Sequence, residues 1–312
     1  MTSLDPWHHR IGNQRDWVWR GWQIRFSFMR AKQTNPATMP IILIHGFGAA
    51  IEHWRKNIPQ LSENNTVYAI DLLGFGASRK APTEYNIDLW VEQLHDFWQI
   101  FIDTPAILVG NSIGSLIALT AATTYPEMAR GLVMLSLLDL SSQQEMIPKW
   151  VQPIEKTLKA IVASSLLIPV IFQFLRRRET IANWVKLAYC DRAAITEELI
   201  DILAIPPQDE GATRAFCKLF IGTTQSSFGL PAKLLLPQLK IPTLLVWGTQ
   251  DRVIPPRLGK INLAEKFASL NSQIDLVELD CAGHCPHDES PDRFNRIILD
   301  WLEKNFKNNR KT

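Results

Sequence analysis

The sequence has few cysteines, no long apolar run and almost no excess of charge of either sign. Its 4 cysteines, at positions 190, 217, 281 and 285, are too sparse for a disulfide framework, so we expect a reducing, cytoplasmic location. The absence of any run of about 20 apolar residues argues against a membrane-spanning helix. A net charge of only +2, without a basic stripe, argues against nucleic acid as a partner.

The overall composition is that of a soluble globular protein. The chain has 312 residues, of which 46% are hydrophobic and 21% are charged. This length accommodates one large α/β core with an inserted subdomain, or two ordinary domains. The first ten residues include Asp5, His8 and His9 and contain no apolar segment, so they predict no secretory signal.

Short apolar runs alternate with helical stretches along much of the chain. Such runs are typical of strands that are buried on both faces, and the alternation predicts an α/β fold with a mostly parallel central sheet and helices on both faces. The predicted strands span residues 17–19, 22–28, 40–44, 66–70, 106–109, 131–137, 243–247 and 274–279. The predicted helices span residues 54–61, 88–102, 113–125 and 293–306.

This alternation stops between residues 141 and 239, where the pattern is helical throughout. We interpret residues 141–239 as a helical cap inserted into a core formed by residues 1–140 and 240–312. The helices predicted in this cap span residues 150–158, 161–175, 181–187, 196–203 and 213–221.

The strongest chemical motif is Gly110-Asn111-Ser112-Ile113-Gly114, which lies between a predicted buried strand and a predicted helix. That is the setting of a G-x-S-x-G nucleophile elbow, in which a sharp turn lifts the serine hydroxyl above the sheet. Glycines on both sides relieve the crowding at such a turn. We therefore predict Ser112 as the nucleophile and the N–H of Ile113 as one oxyanion donor. The alternative is a tight turn with an incidental serine.

A second motif, His45-Gly46-Phe47-Gly48, directly follows the predicted strand 40–44. A tetrahedral oxyanion needs two converging donors, and the N–H of Phe47 between Gly46 and Gly48 supplies the second. We expect His45 to hold this loop rather than to act as a base. The alternative is an ordinary glycine-rich loop.

Two aspartates compete for the acid of a catalytic triad, since each follows a predicted strand. Asp251 comes after the strand 243–247 and a glycine turn, whereas Asp139 comes after the strand 131–137. The carboxyl ends of parallel strands are where active sites lie in such sheets. We favour Asp251, because its position in a strand–glycine turn is better defined, and keep Asp139 as the alternative.

His284 follows the last predicted strand and completes the order serine, aspartate, histidine. We predict it as the general base. His287 is the competing histidine, but it precedes the helix start at Ser290-Pro291, so we favour a structural or capping role for it. Cys281, His284, Cys285 and His287 also raise the question of a metal site. Four ligands within seven residues, without a distant pair, fit a tetrahedral zinc site poorly, so we predict no metal and expect both cysteines to be packing residues.

Together these motifs resemble the α/β-hydrolase superfamily over nearly the whole chain. Residues 71–78 (DLLGFGAS) also resemble the D-x-x-G-x-G-x-S loop of that superfamily. More narrowly, residues 110–112 and 283–289 (GHCPHDE) resemble the pheophytinase and chlorophyll-dephytylase branch of plants and cyanobacteria. This resemblance implies hydrolysis of a phytyl or similar long-chain ester. Ser115 departs from the pattern of the superfamily, whose members often carry glycine at this position. We expect the serine to be tolerated, with some crowding of the contact between helix and strand.

The same resemblance narrows the set of reactions that the protein is expected to catalyse. Epoxide hydrolases and haloalkane dehalogenases of this fold carry aspartate at the elbow, which Ser112 argues against. The elbow also resembles that of C–C bond hydrolases of ring-fission products, but their histidine loop tends to carry tryptophan where Cys285 stands here. We predict an ester hydrolase that forms an acyl-enzyme and needs no cofactor. A C–C hydrolase and a non-catalytic ligand-binding protein of the same fold remain the alternatives.

The cap carries one further pattern, an apolar run at residues 161–175 followed by Arg176-Arg177-Arg178. The run is too short, and too interrupted by Pro169, to span a bilayer. A buried cap helix is the simplest interpretation. The alternative hypothesis is that this segment lines a lipophilic entrance or makes peripheral contact with a membrane, with the arginines at the headgroups.

Overall fold

The computed structural model describes residues 7–33, 39–139, 167–258 and 261–307. Within these ranges eight strands form one sheet in the order β1-β2-β4-β3-β5-β6-β7-β10, and β8 and β9 form a separate small ribbon. The strands are β1 (Asn13–Trp19), β2 (Trp22–Met29), β3 (Ile41–Ile44), β4 (Val67–Ile70), β5 (Ala106–Asn111), β6 (Ala129–Leu135), β7 (Thr243–Gly248), β8 (Arg257–Leu258), β9 (Ile261–Asn262) and β10 (Ile274–Leu279).

Six of the eight strands run parallel, and an antiparallel hairpin forms one edge. The hairpin joins β1 to β2, and β2 in turn pairs antiparallel with β4. Its turn consists of Arg20 and Gly21, both with positive φ, at 50° and 81°. A two-residue turn of this kind matches the twist of the flanking strands. The predicted mostly parallel α/β sheet is therefore confirmed, and β1 begins four residues before the predicted start.

Helices precede, follow or connect these strands. They are α1 (Trp7–Arg10), α2 (Ile58–Leu61), α3 (Ile87–Phe101), α4 (Ile113–Thr124), α5 (Leu167–Leu175), α6 (Arg178–Ala188), α7 (Glu197–Ala204), α8 (Ala212–Thr223), α9 (Ala232–Leu235), α10 (Leu263–Ala268), α11 (Pro286–Glu289) and α12 (Pro291–Leu302).

The sheet has a hydrophobic layer on each face, because successive strand residues point to opposite sides. In β3, Ile42 and Ile44 belong to the layer that α3 and α4 cover. Ile41 and Leu43 belong to the other layer, which α2 and α12 cover. All four side chains are fully buried. The apolar run at residues 41–44 therefore reflects burial on both faces.

Five helices, α5 to α9, lie between β6 and β7 in the described part of the chain and are called the insert helices below. They correspond to the predicted helical region, and α6, α7 and α8 match three of its predicted helices to within three residues. The predicted helix 150–158 and the first part of the run 161–175 lie outside the described residues. Within the described ranges no helix combines the length and hydropathy that crossing a bilayer requires.

The predicted helix 54–61 is wrong in its extent. The structure has a 3-10 turn at Ile51–Trp54 and a separate one-turn helix, α2. Pro59 lies in the first turn of α2, where its missing N–H is tolerated, whereas in the interior of a longer helix it would remove a hydrogen bond. The helix α10, which follows the β8–β9 ribbon, was not predicted at all.

Candidate active site

Ser112 lies on a strained turn between β5 and α4. Its backbone has φ 55° and ψ −117°, a conformation that is rare for any residue other than glycine. A Cβ on Gly110 would lie 2.2 Å from the carbonyl oxygen of Gly114, and one on Gly114 would lie 2.4 Å from that of Ile44. Neither position therefore accommodates a side chain. The structure places Ser112 as an elbow requires, with Ile113 as the first residue of the helix behind it.

Ser115 fits the elbow better than the sequence suggests. Its buried hydroxyl lies 2.6 Å from the carbonyl oxygen of Gly110 and 2.8 Å from that of Leu135. It also accepts a hydrogen bond from the N–H of Leu135 at 3.0 Å. The hydroxyl thus joins the elbow to β6 instead of crowding the helix against the sheet.

The structure brings His284 and Asp251 together. The Nδ1 of His284 lies 2.9 Å from Oδ2 of Asp251, and both residues are buried. An ionised carboxylate accepts only, so Nδ1 donates and Nε2 is left as an acceptor. The other oxygen of Asp251 accepts the N–H groups of Val253 and Ile254, each at 2.8 Å. These two bonds fix the carboxylate towards His284.

Asp139 has a different environment. Its carboxylate accepts the N–H of Ala232 at 3.0 Å, at the first residue of α9. An acidic side chain at a helix N-terminus satisfies a backbone donor that has no partner within the helix. The geometry therefore gives Asp251, and not Asp139, the hydrogen bond to the imidazole.

His45 holds the loop that precedes Phe47. Its Nδ1 donates to the carbonyl oxygen of Gly46 at 2.7 Å, and its Nε2 accepts the N–H of Leu72 at 3.1 Å. Complete burial lowers the pKa of His45 to about 4, so its ring is neutral near pH 7. A Cβ on Gly46 would lie 2.9 Å from Oδ1 of Asn111, which explains the glycine beside the elbow. Gly48 has φ 69°, and the side chain of Phe47 is half exposed.

The loop at residues 71–78 supports the same region. One carboxylate oxygen of Asp71 accepts the N–H of Ile51 at 2.8 Å, and the other accepts that of Ala77 at 2.7 Å. Burial raises the pKa of Asp71 to about 8. A Cβ on Gly76 would come within 2.2 Å of this carboxylate, so the glycine in the motif leaves room for the acid.

Two residues without a predicted role bind the histidine loop. The side-chain amide of Asn111 donates to the carbonyl oxygen of His284 at 3.1 Å. Glu289 accepts the N–H of Gly283 at 2.7 Å with one oxygen, and those of Cys190 and Asp191 at 2.8 and 2.6 Å with the other. Both residues lie within quoted motifs, but only the folded chain shows what they contact.

A buried polar cluster lies behind His284 and connects the core to the insert helices. The hydroxyl of Tyr189, at the end of α6, donates to Asp288 at 2.7 Å and lies 2.9 Å from Nε2 of His53. Arg55 donates to the other oxygen of Asp288 at 2.7 Å. Burial alone would raise the pKa of Asp288, but the Arg55 guanidinium holds it below its usual value. The carboxylate is therefore ionised, and burial lowers the pKa of His53 to about 4.

The cysteines and His287 show no metal-binding arrangement in the described ranges, where no three histidine, cysteine or acidic side chains form a metal-binding group. Cys285 is buried, as expected for a packing residue. The same expectation for Cys281 is wrong: it is exposed, because it lies in a left-handed turn with φ 57° after β10. His287 is fully buried, with its ring 4.2 Å from that of Trp54.

Ser112 and His284 line one cavity of about 540 Å³ between the core and the insert helices. Its wall is mostly apolar, and many of its side chains come from the insert. A volume of this size is in the range of pockets that bind small molecules. The insert contributes Phe172, Leu175, Trp184, Val185, Phe216 and Leu219 among others.

The fold is that of a hydrolase family. The profile of the alpha/beta hydrolase family matches residues 41–297, which include Ser112, Asp251 and His284. The chain therefore belongs to the alpha/beta hydrolase family, and the resemblance inferred from its motifs is confirmed at the level of the superfamily.

Its relatives have several activities. The chain is 28% identical over 269 residues to 2-hydroxy-6-oxo-6-(2'-aminophenyl)hexa-2,4-dienoic acid hydrolase of Metapseudomonas resinovorans, across 85% of this chain and 84% of that protein. It is 22% identical to chloroplastic pheophytinase of Arabidopsis thaliana, across 90% of this chain and 64% of that protein. The crystal structure of a membrane phospholipase A has the same fold, with a TM-score of 0.75 and 22% identity, covering 97% of this chain and 89% of that one.

Proposed function

We propose that this protein is a serine hydrolase that cleaves a carboxylic ester of a lipophilic substrate through an acyl-enzyme. The observation that carries this proposal is that His284, hydrogen-bonded to the buried Asp251, lines the same apolar cavity as the elbow serine, Ser112. A serine hydroxyl becomes a useful nucleophile when an oriented histidine accepts its proton. A long-chain or phytyl-type acyl or alcohol group suits a wall made of aromatic and aliphatic side chains.

In this proposal Ser112 attacks the ester carbonyl while Nε2 of His284 takes its proton. Asp251 keeps Nδ1 protonated and stabilises the imidazolium. The N–H groups of Phe47 and Ile113 bind the oxyanion, and His284 then protonates the leaving alcohol. Water, deprotonated by His284, hydrolyses the acyl-enzyme and releases the acid. These steps use only protein groups and water, so they need no cofactor.

The proposed role of the insert helices is to cover the active site and to select the substrate. They belong to a cap, residues 141–239, that covers the active-site cavity and selects the substrate. Supporting this, Phe172, Trp184 and Phe216 come from three insert helices and line the cavity with Ser112. Low-dielectric walls exclude water from around the oxyanion, which strengthens its hydrogen bonds.

The test is hydrolysis of esters of increasing chain length, from short p-nitrophenyl esters to a phytyl ester such as pheophytin. We expect turnover to rise with the length of the apolar group and to disappear in Ser112→Ala. Ser269→Ala, which changes an exposed serine, is the matched control and should retain full turnover. Esterase activity that survives Ser112→Ala in pure protein would contradict the proposal.

The second candidate is hydrolysis of a C–C bond in a ring-fission product. The observation in its favour is the relative of that activity, which matches along 85% of this chain. The same three residues would serve, so the site geometry alone does not separate the two reactions. Turnover of a 2-hydroxy-6-oxo-dienoate that exceeds turnover of every ester tested would favour this candidate.

A further inference from the structure

The helix α5 has two apolar faces, of which one is packed and the other is not. On the packed face Ile168 and Phe172 are buried, and the Phe172 ring stacks on that of Phe216 at 4.6 Å. On the other face Val170 is 67% exposed and Phe174 is 56% exposed. A helix on a protein surface usually directs polar residues outwards, so exposed valine and phenylalanine on one short helix indicate a contact surface.

The next helix also carries exposed apolar side chains, and one of them reaches the candidate active site. In α6, Trp184 is 56% exposed and Leu187 is 40% exposed. Trp184 also lines the cavity that contains Ser112, so it lies where the cavity meets the surface. We call Val170, Phe174, Trp184 and Leu187 the apolar surface. Its helices are the two that carry Phe172, Leu175 and Val185 in the cavity wall.

Positive charge lies between these two helices, at Arg176, Arg177 and Arg178. Arg178 adds no positive charge to this region, because it pairs with two carboxylates, those of Glu197 and Asp201, at 2.7 Å each. The guanidinium of Arg177 lies 5.4 Å from the ring centre of Phe174. Among the described residues, no carboxylate lies within ion-pair distance of Arg176 or Arg177. Arg177 therefore adjoins the apolar surface without an acidic partner among the described residues, and Arg176, likewise without one, lines the cavity beside it.

We propose that the apolar surface docks on a lipid bilayer that contains anionic phospholipids. Val170 and Phe174 enter the boundary between headgroups and acyl chains, and Arg176 and Arg177 lie at the headgroup phosphates. Apolar side chains beside unpaired arginines are the combination that such a boundary favours. Docking in this way also brings the cavity mouth at Trp184 to the phase in which a lipophilic ester dissolves. The docking itself does not depend on the proposed ester hydrolysis.

The test is co-sedimentation with vesicles of phosphatidylcholine alone and of phosphatidylcholine with phosphatidylglycerol. The protein carries Ser112→Ala, so that hydrolysis cannot alter the vesicles. We expect clear partition onto the anionic vesicles, and a loss of about tenfold or more when Val170→Glu and Phe174→Glu are combined. Arg177→Gln should reduce the partition onto anionic vesicles by about fivefold. The matched control is Ile100→Glu on α3, where a 60% exposed isoleucine is changed with no effect expected.

Three results would overturn the proposal. The first is that the Ser112→Ala protein without further substitutions remains in the supernatant with both kinds of vesicle. An equal loss of binding in Ile100→Glu shows that the effect is not specific to α5. A dimer in sedimentation velocity that the Val170→Glu and Phe174→Glu pair converts to monomer, without vesicle binding, shows that a second copy covers the surface. When Ser112 is restored, the Val170→Glu and Phe174→Glu variants should hydrolyse a soluble ester at the normal rate, since neither Val170 nor Phe174 lines the cavity.

Discussion

The main-chain N–H of His284 donates a hydrogen bond to the carbonyl oxygen of Ala188 at 2.7 Å. Ala188 is the last residue of α6, so an insert helix directly holds the loop of the candidate base. A Cβ on the preceding residue, Gly283, would lie 2.2 Å from that same carbonyl oxygen. The position of the His284 imidazole therefore depends on the position of α6 as well as on the hydrogen bond to Asp251.

Gly283→Ala should push the His284 loop away from the C-terminal end of α6. The added methyl group has to displace Ala188, and a shift of about 1 Å at a catalytic group can cost up to about 100-fold in rate. We expect kcat to fall by about ten- to a hundredfold, measured on a short soluble ester. Cys281→Ala, an exposed position in the same turn, is the control and should retain wild-type kcat. Normal kcat in Gly283→Ala would show that the His284 loop is positioned independently of the insert.

Replacing each aspartate separately identifies the acid. Asp251→Asn removes the charge that stabilises the imidazolium and favours the wrong tautomer, so we expect kcat to fall by about 10⁴-fold. Asp139→Asn keeps an oxygen that accepts the N–H of Ala232, so its kcat should stay within a few fold of wild type. The measurement is kcat for both variants with folding checked by circular dichroism. The reverse ranking would assign the role to Asp139.

Glu289→Gln should loosen the histidine loop from the insert. Glu289 accepts three backbone N–H groups with its two oxygens, and glutamine replaces one of these acceptors by a donor. We expect the free energy of unfolding to fall by about 1–3 kcal/mol and kcat to fall with little change in KM. Glu265→Gln, an exposed residue in α10, controls for loss of charge. Equal behaviour of the two variants would remove the positioning role of Glu289.

The burial of His53 predicts loss of stability in acid. Its pKa is about 4 in the folded protein and about 6.5 in the unfolded chain, so the unfolded state alone takes up a proton between these values. The free energy of unfolding therefore decreases as the pH falls from 6.5 to 4, by about 3 kcal/mol for this one group.

His53→Gln removes that titration and keeps a donor for Tyr189. We expect the pH dependence of its unfolding free energy to be smaller than in wild type by about 1.4 kcal/mol per pH unit near pH 5. Urea unfolding at several pH values measures the difference. His45 and His287, whose pKa values are lowered mainly by burial, and Asp71, whose pKa burial raises, are present and buried in both proteins, so the main part of their contributions cancels. Parallel curves for the two proteins would show that His53 is not held neutral.

The sheet was largely predictable from sequence because its strands are buried on both faces. An apolar run such as residues 41–44 reports burial directly, without knowledge of neighbouring strands. The elbow motif around Ser112 was equally predictable, because contacts with nearby backbone atoms require glycine at positions 110 and 114. The extents of the short helix α2 and the ribbon β8–β9 were not predicted, since a few residues give too little periodicity.

The hydrogen bonds that hold the residues of the candidate site in place could not be predicted, because they join residues that are far apart in the chain. Asn111 and His284 are separated by 173 positions, and Tyr189 and Asp288 by 99. Nothing in the sequence around Glu289 indicates that its carboxylate binds the end of an insert helix. Ser115 is expected from sequence only to be tolerated in the helix–strand contact, because its hydrogen-bond partners on Gly110 and Leu135 become apparent only when β5 and β6 are paired.

Ser112, activated by His284, is the proposed nucleophile of this site. A fluorophosphonate probe phosphonylates such a serine, and the mass of the intact protein reports the adduct directly. We predict one adduct per chain on wild-type protein, located at Ser112 by peptide sequencing, no adduct on Ser112→Ala, and strongly slowed labelling of His284→Ala. Folded wild-type protein that stays unlabelled would contradict this role of Ser112 and favour a non-catalytic ligand-binding role for the cavity, and labelling that persists in Ser112→Ala would place the nucleophile elsewhere.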